Sequence, residues 1–287
     1  MSRYRRRRLL AALAVLLAAG AIAVAIAFRA SGGSASAAPA VPIGSSAALG
    51  AEASKATPEL AAGRARGIPK PTAIRGDGPL FEVRGRIVRR ISPPRGKGRV
   101  ALTFDDGPGP YTPQVLAELR SLHVHATFFV IGRNAKQSQG MVEALRAAGM
   151  VIGNHSWSHP NFTKLSLGAQ RRQIRRTQDL LEREIGQRPR FFRPPTWAWN
   201  RTTARAVAEE GMLGVLFSVD TRDWSKPGVT AIVRQALTAR DGQIIALHDA
   251  GGDREQTVQA LPLIVKGLRA RGLEPVTIDE LFRKTPS

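Results

Sequence analysis

The chain has 287 residues, 43% of them hydrophobic, and no cysteine, which excludes a disulfide framework, thiolate nucleophiles and metal–sulfur sites. Its 43 basic against 22 acidic residues give a formal charge of +21, but most of that excess lies before residue 100. Residues 1–29 hold six arginines and no acid, 30–99 hold twelve basic residues against four acidic, and 100–287 hold twenty-five against eighteen. No nucleic-acid partner is therefore expected, although a basic surface suits an anionic envelope polymer or membrane.

Residues 1–29 read as a targeting element. Five arginines precede an uncharged aliphatic run from Leu9 to Phe28, about the length a bilayer core requires. The basic flank is expected to stay cytoplasmic and send the rest outward. The run is long for a cleaved signal peptide, so an anchor is favoured, with cleavage near Ala35-Ser36-Ala37 as the alternative. Residues 30–78, rich in Ala, Gly, Ser and Pro, read as a flexible linker. Residues 79–95 alternate apolar and charged side chains, as a short edge hairpin or connector would.

Residues 96–287 carry the regular pattern. The strand-like runs are VALTFD, ATFFVIG, MVIGNHS, RFFRPP, LGVLFSVD, QIIALHD and EPVTI. Between most of them lie helical patterns over Thr112–Ser121, Gln139–Ala148, Ser166–Ile185, Thr202–Glu210, Val229–Arg240 and Thr257–Arg271. Near-continuous apolar strands alternating with amphipathic helices predict a mostly parallel sheet covered by helices. Seven such strands suggest a short, incomplete (β/α) barrel, and a flat doubly wound sheet is the other option.

The chemistry collects where these strands end. Asp105 and Asp106 follow VALTF, and His155 and His159 follow MVIG. Arg193 follows RFF, Asp220 and Asp223 follow LFSV, and His248 and Asp249 follow IIAL. In β/α folds the strand C-termini open onto the active face. Two histidines and one carboxylate make a divalent-metal site, with Asp106 as third ligand beside His155 and His159. Asp105, pointing elsewhere, suits the base that deprotonates water, with Arg193 as its ion-pair partner. His248 suits the general acid, oriented and held protonated by Asp223. His123 and His125 precede their strand and read as structural or surface groups. Asp249 reads as a supporting or capping residue, and the arginines at 171, 172, 175 and 176 as a solvated helix face.

TFDDG, H-S-x-x-H, R-P-P, D-x-x-D-W and L-H-D, in this order, resemble the five motifs of the polysaccharide deacetylases (carbohydrate esterase family four, the NodB-homology domain). The resemblance spans about Gly96 to Leu281. It implies a distorted (β/α)7 barrel and metal-dependent hydrolysis of acetyl groups on sugars, with zinc the expected ion and cobalt, nickel or manganese the others. It implies the base at Asp105, metal ligands at Asp106, His155 and His159, the tuning arginine at Arg193, the acid's support at Asp223 and the acid at His248. It also implies an oxyanion contact from the Thr196 amide after Pro195, and an acetyl-methyl pocket lined by Trp224 and Leu247. Trp197 stands where the family usually has glycine, which predicts an altered loop and groove.

The expected function is N-deacetylation of cell-envelope polysaccharide, peptidoglycan first, by an exported monomer at the outer face of the membrane. Chitin-type oligomers, xylan or another acetylated glycan are the alternative substrates. A catalytically silent wall-binding module and a hydrolase of non-sugar amides are the remaining readings.

Overall fold

The computed structural model describes residues 74–75, 87–92 and 98–282. The expected anchor at 1–29 lies outside them, as do the linker at 30–78 apart from Ile74–Arg75 and most of 79–95. No helix among the described residues is long and apolar enough to cross a membrane.

The strand Gly98–Asp105 (β4) organises the molecule. Its side chains alternate: Val100, Leu102 and Phe104 enter one apolar cluster, while Ala101 enters another across the sheet. Parallel partners surround it. Leu273–Val276 (β11) pairs with its first half, Thr127–Val130 (β5) with its second, and Ile244–His248 (β10) with Ala101 to Asp105. Further strands are Ile87–Val88 (β2), Val151–Asn154 (β6), Phe191–Phe192 (β7), Leu213–Val215 (β8) and Val219–Asp220 (β9). The main path runs β2-β8-β7-β6-β5-β4-β10-β9, with β11 beside β4, and every pairing in it is parallel. This is the curled, distorted (β/α)7 barrel. A two-residue pairing of Ile74–Arg75 (β1) with Ile91–Ser92 (β3) lies apart from it.

The described part of the expected hairpin pairs elsewhere: β2 lies along β8 and β3 along β1, both in parallel. LGVLFSVD, expected as one strand, divides into β8 and β9.

Helices pack outside the curl, except the last, whose Ile278, Leu281 and Phe282 join the inner cluster. They are Thr112–Ser121 (α1), Gly132–Gln137 (α2), Met141–Ala147 (α3), Leu167–Ile185 (α4), Arg201–Glu209 (α5), Val229–Ala236 (α6), Glu255–Ala270 (α7) and Ile278–Phe282 (α8). Capping sets several ends. Ser166 Oγ accepts from the Ala169 N–H at the start of α4, Gly186 closes it at φ 66°, and Asn200 caps α5. The layer between sheet and helices holds Leu102, Phe104, Leu119, Phe128, Leu145, Ile264 and Leu268, all buried, each worth about 1.5–3 kcal/mol. Ala101, Phe129, Phe191, Ile244 and Ile278 fill the inside. The rim at the strand C-termini is thus left to polar side chains.

Candidate active site

Register places the acid and base candidates side by side, because Asp105 of β4 pairs with His248 of β10. Asp105 is buried, and its Oδ1 accepts from Arg193 Nη1 at 2.7 Å. Arg193 is itself fully buried. It also donates to Thr103 Oγ1 (2.8 Å) and to the carbonyls of Val215 and Leu216, and its guanidinium lies 4.1 Å from the centre of the Phe129 ring. Burial draws the Arg193 pKa below its ordinary value, opposed by the charge of Asp105. This clamp fixes one oxygen of Asp105, while the other, Oδ2, has no hydrogen-bond partner among the described residues.

Asp106, the first residue after the strand, sits at φ 76°. That turn points its carboxylate away from Asp105 and toward two imidazoles, at 3.6 Å from His155 Nε2 and 3.3 Å from His159 Nε2. The candidate ligand atoms of the three all lie within 4.8 Å of one another. His155 Nδ1 lies 2.7 Å from the Arg193 carbonyl, which can only accept, so Nδ1 carries the hydrogen and Nε2 presents its lone pair. Burial pushes the His155 pKa down to about 3, with Asp106 opposing, so this imidazole stays neutral. The buried Asp106 Oδ1 has no hydrogen-bond partner among the described residues. A carboxylate oxygen without a hydrogen bond, facing the Nε2 atoms of two imidazoles, fits a divalent cation, and His159, 30% exposed, leaves the site open to solvent.

Residues that sequence reasoning missed hold this cluster. Asn134 on α2 donates to the Asp106 carbonyl (2.8 Å), Ser156 Oγ accepts the His159 N–H (3.0 Å), and Gln173 Oε1 accepts the N–H groups of Trp157 and Ser158. Asn134 on a short helix and Ser156 in a loop carry no periodic signal, and Gln173 is one polar residue among many on α4.

On the opposite side, His248 Nδ1 lies 2.8 Å from Asp223 Oδ1, and Asp223 Oδ2 accepts from the His248 amide and from Thr257 Oγ1. Burial opposes the charged imidazole, but the hydrogen bond and charge of Asp223, with the charges of Asp105 and Asp106, raise its pKa to about 9. Asp223 is pulled down despite its burial, chiefly by His248. Asp220 turns its carboxylate to the Arg222 N–H.

The loops after β4 and β10 interlock through glycines. A Cβ at Gly107 would sit 2.3 Å from Asp249 Oδ2, one at Gly109 would sit 2.5 Å from the Ala250 Cβ, and one at Gly251 would sit 2.6 Å from Asp106 Oδ2. Asp249 is buried against this seam and takes a hydrogen bond from Thr112 Oγ1; burial raises its pKa to about 7. Gly107→Ala will therefore cost about 1–3 kcal/mol of stability, read as a lowered denaturant midpoint. An unchanged midpoint would mean that the seam is loose.

Of the substrate contacts, Pro195 is buried and opens a 3-10 turn, Pro195–Trp197. Thr196, at φ 52°, is exposed, and its N–H has no partner among the described residues. Trp197, at φ 57°, occupies the left-handed region that favours glycine. Its ring packs edge-on to Phe217 at 5.0 Å between centroids. Trp224 is 43% exposed at the rim. Leu247 is not brought to the site. Alternation turns it to the helix side with Leu102 and Phe104, fully buried, while Ala246 shares the face of His248. His123 and His125 are exposed and outside the cluster.

A family model described as polysaccharide deacetylase matches residues 92–215. A peptidoglycan-N-acetylglucosamine deacetylase from Bacillus cereus is 37% identical over 196 residues, covering 67% of this chain and 71% of the relative. A chitooligosaccharide deacetylase from Bradyrhizobium is 35% identical over 217 residues, covering 71% of this chain and 97% of the relative. A solved family 4 carbohydrate esterase from Streptomyces lividans, in complex with acetate, gives a TM-score of 0.60 at 36% identity, covering 62% of this chain and 91% of that one.

Proposed function

Because the chain belongs to the polysaccharide deacetylase family, we propose that it removes N-acetyl groups from peptidoglycan, with zinc held by Asp106, His155 and His159. The observation that carries this reading is the division of labour between adjacent carboxylates. Arg193 clamps Asp105 and leaves one of its oxygens free, while Asp106 faces two imidazoles. The likeness to a peptidoglycan deacetylase supports the polymer. The basic, uncharged-core N-terminal segment supports action outside the cell, from a membrane anchor, and the protein is taken to act as a monomer.

A divalent cation bound there supplies a Lewis acid that polarises the acetamide carbonyl and acidifies water. Asp105 Oδ2 accepts the proton of the attacking water, and Arg193 keeps that carboxylate oriented and charged. The Thr196 N–H is free to donate to the oxyanion as it forms. His248, held protonated by Asp223, gives its proton to the departing amine. Acetate and a free glucosamine unit result.

Asp223→Asn tests the acid. A bound cation offsets the contributions of Asp105 and Asp106 to the His248 pKa, leaving Asp223 as the group that holds it up. The variant will lose about a hundredfold in kcat/KM, and its alkaline limb will move to lower pH. Stability follows the same sign. The His248 pKa is raised on folding, so its contribution is fully present below about 6.5 and lost as pH rises through about 9. The variant will lack that pH dependence. A pH profile with an unmoved alkaline limb would remove His248 from the acid role.

The likeness to a chitooligosaccharide deacetylase favours a second reading, in which short chitin-type oligomers are the substrate. Acetate release from peptidoglycan, chito-oligosaccharides and acetylated xylan at equal acetyl concentration separates the two. Preference for peptidoglycan supports the first reading, and preference for the neutral oligomers overturns it.

A further inference from the structure

A groove of about 500 Å³ runs along α4, lined by Trp157, Leu165, Arg172, Gln173, Arg176 and Asp179 among others. The arginines of this helix are not equivalent. Arg171 pairs with Glu209 and Glu210, Arg175 with Glu210 at 2.8 Å, and Asp179 is taken by Arg188 at 3.0 Å. Arg172 and Arg176, one helical turn apart and both exposed, have no acidic partner among the described residues.

Arg176 is also fixed in place. Its guanidinium lies 3.7 Å from the centre of the Trp157 ring, stacked as a cation on an aromatic face. The ring is wedged in turn, since a Cβ at Gly132 would sit 2.6 Å from Trp157 Cε3 and 2.6 Å from Thr177 Oγ1. Stacking leaves the guanidinium edge free for a planar anion. Trp157 lies two residues from both His155 and His159, so its Cα is within about 7 Å of each of theirs. Gln173 ties α4 to this loop through the Trp157 and Ser158 amides.

We propose that Arg172 and Arg176 form a carboxylate-binding subsite that holds the acidic peptide-bearing sugars of a peptidoglycan strand. This deepens the peptidoglycan reading and rests on it. An envelope glycan whose muramoyl units carry peptide carboxylates complements two unpaired guanidiniums, whereas a neutral chitin oligomer offers them nothing. The contacts are exposed, so their effect is modest and screened by salt.

The test is binding of a soluble, uncross-linked peptidoglycan strand to the full-length metal-loaded protein by calorimetry. The same strand with its carboxylates amidated, and a phosphodiester wall polymer, serve as comparisons. The Arg172→Gln/Arg176→Gln double variant will bind the carboxylate-bearing strand about five- to tenfold more weakly. That loss will shrink as salt rises and will be absent with the amidated strand, with metal stoichiometry and melting temperature as folding controls. Equal loss on both strands, no loss, or a loss seen only with the phosphodiester polymer overturns the subsite. Binding does not need turnover, so the two readings fail separately. Carboxylate-dependent binding without acetate release contradicts the deacetylase assignment alone. Acetate release with affinity indifferent to the arginines contradicts the subsite alone.

Discussion

Asp105→Asn will lower acetate release about a thousandfold while stoichiometric metal binding survives. The side-chain carbonyl of asparagine can still accept from Arg193 Nη1, so the clamp keeps its geometry. The second oxygen, free in the native site, becomes an NH2 that cannot take a proton, and removing a general base costs about 10²–10⁴ in rate. Asp106, His155 and His159 are untouched, so metal content will match the native protein. Arg193 loses its buried counter-charge, and stability falls by up to about 3 kcal/mol. The variant will thus be folded, metal-loaded and nearly inert. Activity within tenfold of native would remove Asp105 from the base role.

His155→Ala will separate the other carboxylate from its purpose. Its imidazole is neutral and pre-oriented by the Arg193 carbonyl, so truncation removes a ready donor and leaves Asp106 and His159 as a weaker two-residue site. Bound metal after dialysis will fall well below one per chain, and acetate release will fall to background. Excess metal will restore little of it. His123→Ala removes an exposed imidazole outside the cluster, and metal content and rate will match the native protein. Full metal content in His155→Ala would show that the ion sits elsewhere.

Much of the fold was legible because strand and helix periods differ. The short continuous apolar runs of β4, β5 and β10 read as strands buried on both faces, and α1 matched its expected span, Thr112–Ser121, residue for residue. The clustering of Asp105, Asp106, His155, Arg193, Asp223 and His248 was legible from order alone, since parallel strands bring their C-terminal ends to one rim. Other features depend on tertiary contacts that leave no local pattern. Helix α2, GRNAKQ, has no apolar stripe, so Asn134 and its bond to the Asp106 carbonyl went unseen. LGVLFSVD breaks because its partners change: Leu213–Val215 pair with β7 and β2, whereas the Ser218 N–H turns to the Ile244 carbonyl of β10 and Val219–Asp220 continue along that strand. Leu247 was assigned to the pocket from motif position, but strand alternation places it on the helix side. Only the folded loops show that Gly107, Gly109 and Gly251 each make room for a named side chain. At Trp197 the sequence signalled a departure. The structure gives its physical form, a bulky residue at φ 57° packed on Phe217.

The most direct test of the central claim is acetate release from peptidoglycan by the full-length protein, stripped of metal and then reloaded with zinc, beside Asp105→Asn and His155→Ala. The account predicts acetate only with metal, its loss on chelation, a metal-loaded but silent Asp105→Asn, and a metal-poor, silent His155→Ala. Stoichiometric metal with no acetate from peptidoglycan or any other acetylated glycan, or acetate release that persists in both variants, would contradict it.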